Sequence, residues 1–443
     1  MANEVSERRW LWIIFVLYFL LAVGYSLLMP IWEAPDEPAH YHLAWRLARK
    51  GEYATDELNY EASQPRAFYY FGSLVIRALD KVDTKFSDYF FPREYKYNIR
   101  VAERRFDWND SNYRFLLGVY ALRWVNLLFG ALALWLNWKT FKLITPDKPT
   151  LQLSALALAG LTPQYLHIMS SVNNDALGTL AGALLFYLVI RAANGSNNLI
   201  NILFVPLAII LPFLTKLTVL PVGAALLLVI AWKWFSSVRH RRWLAVSAII
   251  LLSGAGVLYF FFPEMIQTAW GEIKWRLFSF HKRASTLKYL TTVSSQIVWT
   301  YWGKVGWIAV GLSWWVVDLL TLAGFIGIAI QVKTITSSLR GRSLKQSPTR
   351  PANAQLWIAT LLIALFTILA VARNALTTGA TQGRFLFPAI GALSLLMVGG
   401  WYDVLPERAQ QKFPRILVSL MFVLNIALCV FEVIPVYYQP FFD

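Results

Sequence analysis

The chain is poor in what a soluble enzyme of its length relies on. Only 15% of its 443 residues are charged, against roughly a quarter in soluble domains. A single cysteine, Cys429, lies inside an apolar run. That excludes an internal disulfide and a cysteine-ligated metal centre, and says little about redox compartment. Acids are scarce, with 25 Asp and Glu against 41 Lys and Arg and a formal charge of +16. No P-loop, GxSxG serine or Rossmann glycine fingerprint is present, and no internal repeat is visible. No nucleic-acid motif accompanies the positive charge. Much of that charge lies in short loops, where Lys and Arg set membrane topology and meet anionic lipid.

What the chain has is apolar length: 57% of its residues are hydrophobic and the mean hydropathy is +0.48. About eleven segments are long enough to cross a bilayer, near 10–29, 116–138, 151–170, 175–190, 199–215, 217–235, 243–262, 306–331, 355–372, 386–402 and 415–435. Lipid offers no partner to an unpaired backbone group, so such spans must be helices. The expected fold is an all-α integral membrane protein, one polytopic domain over 1–443. The first span has no small-residue cleavage site, so it reads as an uncleaved span and not a signal peptide.

Basic residues set the orientation. With the N-terminus in the cytoplasm, Arg8, Arg9, Lys139, Lys142, Lys148, Arg191, "KWFSSVRHRR" (233–242), the 333–354 loop, Arg408, Lys412 and Arg415 all fall inside. The short loops near 171–174 and 215–217 fall outside and are nearly free of them, as the positive-inside rule requires. Two long segments, 31–115 and 263–305, then lie outside. The first is rich in aromatics ("FYYFGSLVI", "SDYFFPREYKYNIR"). It carries too much apolar surface to stay solvated, so it should hold amphipathic helices.

The first of these loops opens with "IWEAPDEPAHYH" (31–42). One reading is structural. Asp36 caps a helix over 36–50, Pro38 sits in its first turn, Leu43, Ala44, Leu47 and Ala48 form its apolar stripe, and Gly51 stops it. Capping does not explain the crowding of Glu33, Asp36 and Glu37, which repel unless a cation, a metal or a shared proton offsets them. A carboxylate clamped at a membrane boundary is a candidate general base or metal ligand. His40 lies one turn after Asp36, but "DEPAHYH" lacks the spacing of a two-histidine zinc site.

Other polar residues interrupt apolar surroundings. Asn173, Asn174 and Asp175 either cap the span that follows or present a second carboxylate. Lys216 ("LTKLTVLP") and Arg384 ("TQGRFLFP") either snorkel to headgroups or form an anion site suited to a lipid phosphate. Lys274, Arg276, Lys282 and Arg283 could add to that site, although a solvated basic face explains each of them singly. Arg123, in "ALRWVNLLFG", snorkels or pairs with a loop acid.

Three segments, "APDEPAHYHLAWRLARKGEY" with "QPRAFYYF" downstream, "LTPQYLHIMSSVNNDALGTL" and "TQGRFLFPAIGAL", together with "LTKLTVLP", resemble the GT-C superfamily of membrane glycosyltransferases. Within it they are similar to a bacterial family of uncharacterised multi-span membrane proteins. Where that family usually reads "QPPLYY", this chain has Arg66 and Ala67. The resemblance implies a GT-C-like fold and sugar transfer on the extracytoplasmic face of a bacterial-type plasma membrane. The donor would be a polyprenyl-phosphate-linked sugar and the acceptor a hydroxyl of a glycan, lipid or protein. It implies Asp36 as general base with Glu37 beside it. Lys216 and Arg384 are the candidates for the donor phosphate, and Gln64, Tyr70, Asn174 and Asp175 for substrate or loop support. Metal use varies across the superfamily. No cofactor is therefore assigned, and a divalent ion (Mg or Mn) held by Asp36 and Asp175 stays open. The rival classes are a transporter or flippase of lipid-linked glycans, which predicts midplane charges and related halves, and a non-catalytic envelope assembly protein with the same fold.

Overall fold

In the computed structural model, the described residues are 2–53, 59, 61–79, 113–195, 198–236, 242–261, 286–340, 351–378 and 382–438, with isolated positions between 267 and 279. The whole stretch 80–112, Arg276, Lys282, Arg283 and the loop 341–350 lie outside them.

The helices are α1 (Ala2–Leu28), α2 (Glu37–Lys50), α3 (Ala67–Ala78), α4 (Tyr113–Ile144), α5 (Pro149–Leu161), α6 (Pro163–Met169), α7 (Asp175–Ala193), α8 (Asn198–Leu214), α9 (Leu220–Phe235) and α10 (Arg242–Phe261). They continue with α11 (Leu287–Trp302), α12 (Trp314–Arg340), α13 (Pro351–Thr378), α14 (Ile390–Val404), α15 (Glu407–Leu428) and α16 (Ile434–Tyr438). The protein is an all-α integral membrane protein. Every one of the eleven predicted spans has a helical counterpart. Among the described residues, however, eight helices are long and apolar enough to cross a membrane, and Pro149–Leu161 and Ile200–Leu214 are shorter apolar helices.

Two departures have local causes. The span predicted over 151–170 is two helices, because Pro163 pushes Thr162 to an extended ψ of 125° and breaks the ladder between α5 and α6. The span predicted from 306 starts at Trp314. Residues 304–311 form a small hairpin, β1 (Lys304–Val305) paired antiparallel with β2 (Val310–Gly311), turned by Gly306 and Ile308 at φ of 66° and 63°. The indole Nε1 of Trp307 donates to Trp32 O at 2.8 Å, tying this hairpin to the first loop.

The bundle has two distinguishable ends. At the N-terminal end, Glu7 meets Lys142 at 3.5 Å and Lys148 meets Asp403 at 3.0 Å. The first long loop folds over the opposite end. Its helix α2 has the predicted bounds, including Gly51 at a left-handed φ of 69°, and its apolar stripe packs against protein. Trp32, Tyr41, Leu43, Trp45 and Leu47 pack with Phe68, Tyr69 and Ile76 of α3, Leu116, Val119 and Leu122 of α4, and Val172. This second, smaller core holds the opening motif rigidly against the membrane helices.

Candidate active site

The site is built where four chain segments meet at the loop-covered end. Asp36 precedes α2 and occupies a left-handed conformation, φ 63° and ψ 2°. That conformation is tolerable for Asp and uncommon for other non-glycine residues. Its side chain makes no capping bond to α2, so capping does not account for it. Instead its Oδ2 accepts from Arg384 Nη2 at 2.6 Å. Asp175, the first residue of α7, meets Lys216 at 2.6 Å through Oδ1 and Arg384 at 3.5 Å through Oδ2. Lys216 Nζ also donates to Asn174 Oδ1 at 2.8 Å. The chain of charges runs Asp36–Arg384–Asp175–Lys216, alternating in sign.

Close packing sets these distances. A Cβ on Gly182 would meet the Pro388 backbone, so α7 lies directly against the 3-10 turn Gly383–Ala389 that carries Arg384. Gly383 is likewise pressed against the backbone of Ile297 and Tyr301, and its N–H donates to Thr300 Oγ1 at 2.6 Å. The loop before α7 is stapled by Asn126, whose Nδ2 donates to Ser171 O and Asn173 O at 2.7 and 2.8 Å. Asn173, not Asn174, caps α7: its Oδ1 accepts from Ala176 N at 3.2 Å.

Glu37 has a different place from its neighbour. It turns away from the cluster into a fully buried pair with Arg123, with Nε to Oε1 at 2.8 Å and Nη2 to Oε2 at 2.7 Å. Its two oxygens also accept from Val172 N at 2.9 Å and Trp32 N at 3.0 Å. Arg123 goes on to donate to the carbonyls of Ser26, Met29 and Pro30 at the end of α1. Glu37 therefore joins α1, α4, the opening motif and the loop before α7, and it is committed to protein partners. Arg123 resolves as the partner of a loop acid and not as a snorkelling residue.

The remaining candidates separate. Tyr70 is 51% exposed. Its neighbour Tyr69, which the sequence does not single out, is buried and has its hydroxyl 2.9 Å from His40 Nδ1, with the two rings stacked. Gln64 supports its own turn through a backbone bond to Glu61 O at 3.0 Å. Arg66, at the departure from the family pattern, lies over the Tyr53 ring at 4.4 Å.

Electrostatics follow from burial and pairing. Burial opposes ionisation of Asp36, but Arg384, His40 and Lys216 outweigh it and hold the carboxyl below its ordinary value. Burial lowers the Lys216 ammonium while Asp175 opposes the shift. His40 is pushed down to about 3, chiefly by burial, and is neutral at physiological pH. Glu61, from the turn before α3, is pushed up to about 7 by burial and by Asp36 and Asp175, against Lys216 and Arg384. Of the four paired groups, Asp36 is the most accessible, with a side chain 20% exposed against 3% for Asp175 and 5% for Arg384.

The donor set does not suit a divalent metal. Guanidinium and ammonium groups already occupy the approach between Asp36 and Asp175, and no group of three or more His, Cys, Asp or Glu is placed to hold one among the described residues.

The family model for dolichyl-phosphate-mannose-protein mannosyltransferase matches residues 117–266. The crystal structure of ArnT from Cupriavidus metallidurans bound to undecaprenyl phosphate superimposes with a TM-score of 0.51 at 13% identity, covering 93% of this chain. The chain has an ArnT-like fold. The apo ArnT structure aligns over the same share at 14% identity with a TM-score of 0.49. In both cases the match spans 62% of ArnT's own length. Among curated protein sequences none matches.

Proposed function

We propose that the protein is a glycosyltransferase that moves a sugar from a polyprenyl-phosphate-linked donor to a hydroxyl of a glycan, lipid or protein. The observation that carries this reading is the accessible Asp36 carboxylate, held ionised by the same guanidinium, Arg384, that lies 3.5 Å from Asp175 beside Lys216. The likeness to a structure whose ligand is undecaprenyl phosphate supports a lipid phosphate as the donor's anchor.

The residues suggest an exchange of partners. A donor phosphate reaching Arg384 and Lys216 competes with Asp36 for the guanidinium. Once released, Asp36 loses the interaction that depresses its proton affinity and becomes a stronger base at the moment the substrate is bound. It then accepts the proton of the acceptor hydroxyl as that oxygen attacks the anomeric carbon. The bond from that carbon to the phosphate oxygen breaks and its electron pair stays on the phosphate, where Arg384 and Lys216 stabilise the added charge. Attack from the face opposite the departing phosphate inverts the anomeric configuration. Glu37 acts on this chemistry only by holding Asp36 in place.

A cavity of about 220 Å³ lies directly beside the cations, walled by Leu217, Leu220, Pro221, Val371 and Phe385. The Phe385 ring centre is 5.7 Å from Lys216 Nζ and 5.8 Å from Arg384 Cζ. An apolar pocket beneath a phosphate site suits the first prenyl units of a lipid donor. Positive-inside counting puts the N-terminus in the cytoplasm, and hence the site on the extracytoplasmic face of a bacterial-type plasma membrane.

The test is reconstitution with labelled polyprenyl-phosphate sugars and candidate acceptors, comparing the natural chain with Asp36→Asn. Transfer that survives undiminished in folded Asp36→Asn removes Asp36 as base. Movement of lipid-linked glycan across the bilayer without transfer replaces the reading with a flippase.

A further inference from the structure

A fifth ionisable group belongs to this cluster and has no part in the chemistry above. Glu61 lies in a turn fixed by Asn59. The Asn59 Nδ2 donates to Ala39 O in α2 at 2.8 Å, its Oδ1 accepts from Glu61 N at 2.8 Å, and its carbonyl accepts from Ala62 N at 3.0 Å. This staples the turn to the first turn of α2, directly after Asp36. That position brings Glu61 within electrostatic reach of Asp36, Asp175, Lys216 and Arg384, and of the Tyr69 hydroxyl of α3. His40, on the same face of α2 as Asp36, is neutral.

The charges do not balance once a phosphate arrives. When Glu61 is ionised, Asp36, Asp175 and Glu61 supply three negative charges against two positive from Lys216 and Arg384. A lipid phosphate adds at least one more negative charge to a site already at net minus one. Uncompensated charge in a buried site is costly, and the least expensive relief is protonation of one carboxylate. Asp36 and Asp175 each have a cation at 2.6 Å, whereas Glu61 has no ion pair among the described residues. We propose that Glu61 is the proton-carrying group of the donor site: its carboxyl takes up a proton as a lipid phosphate binds, and stays neutral while the phosphate is held. The neutral carboxyl then adds no repelling charge to the phosphate. This rests on the reading that the cluster receives the donor phosphate. The ordinary proton affinity of Glu61, raised to about 7 before any ligand binds, puts the uptake in a measurable range.

The experiment measures binding of undecaprenyl phosphate to the full chain in nanodiscs between pH 6 and 8.5, side by side for the natural protein, Glu61→Gln and Glu61→Asp. The probe's own titration is common to all three and cancels in their ratios. Glu61→Gln is expected to bind as tightly as the natural protein at pH 6. Above pH 7 it should bind progressively tighter, by roughly tenfold per pH unit, because only the natural protein must acquire a proton. Glu61→Asp, which keeps a carboxyl, should restore the pH slope. Calorimetry at pH 8 in two buffers of different ionisation enthalpy should count about one proton fewer for Glu61→Gln. A ratio that stays flat with pH, equal proton counts, or loss of binding in Glu61→Gln at every pH overturns the proposal while leaving the donor site standing. No binding of undecaprenyl phosphate by the natural protein at any pH overturns the donor site and this proposal with it.

Discussion

Replacing Glu37 by Gln tests the different roles of the two adjacent acids. Both side chains of the Glu37–Arg123 pair are fully buried, and each Glu37 oxygen accepts two N–H donors, one from Arg123 and one from the backbone of Val172 or Trp32. Glutamine keeps the shape but presents an amide NH2 to two donors at one of these positions, and leaves the Arg123 charge uncompensated. Removing one partner of a buried pair costs about 3–5 kcal/mol, and the donor-against-donor contact puts Glu37→Gln toward the upper end of that range. The assay is unfolding of the detergent-purified protein by SDS titration, run as a double-mutant cycle with Arg123→Gln. A coupling energy of at least about 2 kcal/mol is expected. Asp36→Asn, which leaves Arg384 its second partner Asp175, should cost much less stability while sharply lowering turnover. The reasoning is refuted if Glu37→Gln unfolds within about 0.5 kcal/mol of the natural protein, or if it loses turnover at undiminished stability.

Four further outcomes follow from the same geometry. Asp36→Asn should lower the transfer rate by about 10²–10⁴-fold while undecaprenyl phosphate binding persists, as separate rate and binding measurements would reveal. Because Arg384 and Lys216 hold Asp36 below its ordinary value, the ionised base is present above that lowered value and lost only as pH falls through it. The acid limb of the pH–rate profile assigned to Asp36 should therefore lie below the usual carboxylate range in the free enzyme. Tyr69→Phe removes the partner of buried His40 and should cost about 1–3 kcal/mol in an unfolding titration, whereas Tyr70→Phe, at an exposed position, should be silent. Gly383→Ala drives a methyl group into the backbone of Ile297 and Tyr301; it should displace Arg384 and weaken lipid-phosphate binding without altering any charge.

Much of the architecture was legible because membrane helices are specified by composition. A run of apolar residues long enough to span lipid can only be a helix, so each of the eleven predicted segments has a helical counterpart. The departures came where local backbone preference opposed that pattern. "VGWIAVG" (305–311) is apolar enough to continue a span, yet Gly306 and Ile308 take left-handed conformations and turn it into a hairpin. Pro163 divides another apolar run because the residue before proline avoids the helical region.

The sequence alone determined the membrane class, the apolar segments that become helices, and which charged residues stand at helix boundaries, since a charge next to twenty apolar residues is conspicuous wherever it sits. Asp36, Asp175, Lys216 and Arg384 could be singled out in this way. Only the tertiary structure decided how they meet, because residues up to 348 positions apart converge through glycine-mediated packing that no local pattern encodes. It also decided what periodicity misjudges. The left-handed turn at Asp36 sends two consecutive acids in different directions, one to an accessible cluster and one to a sealed pair with Arg123. The helical rotation of α3 chose Tyr69 over Tyr70. Glu61, a lone acid in a loop, is brought near these charges by Asn59, which staples its turn to α2, and a proton affinity is set by the charges a fold gathers around a group, not by its neighbours in sequence.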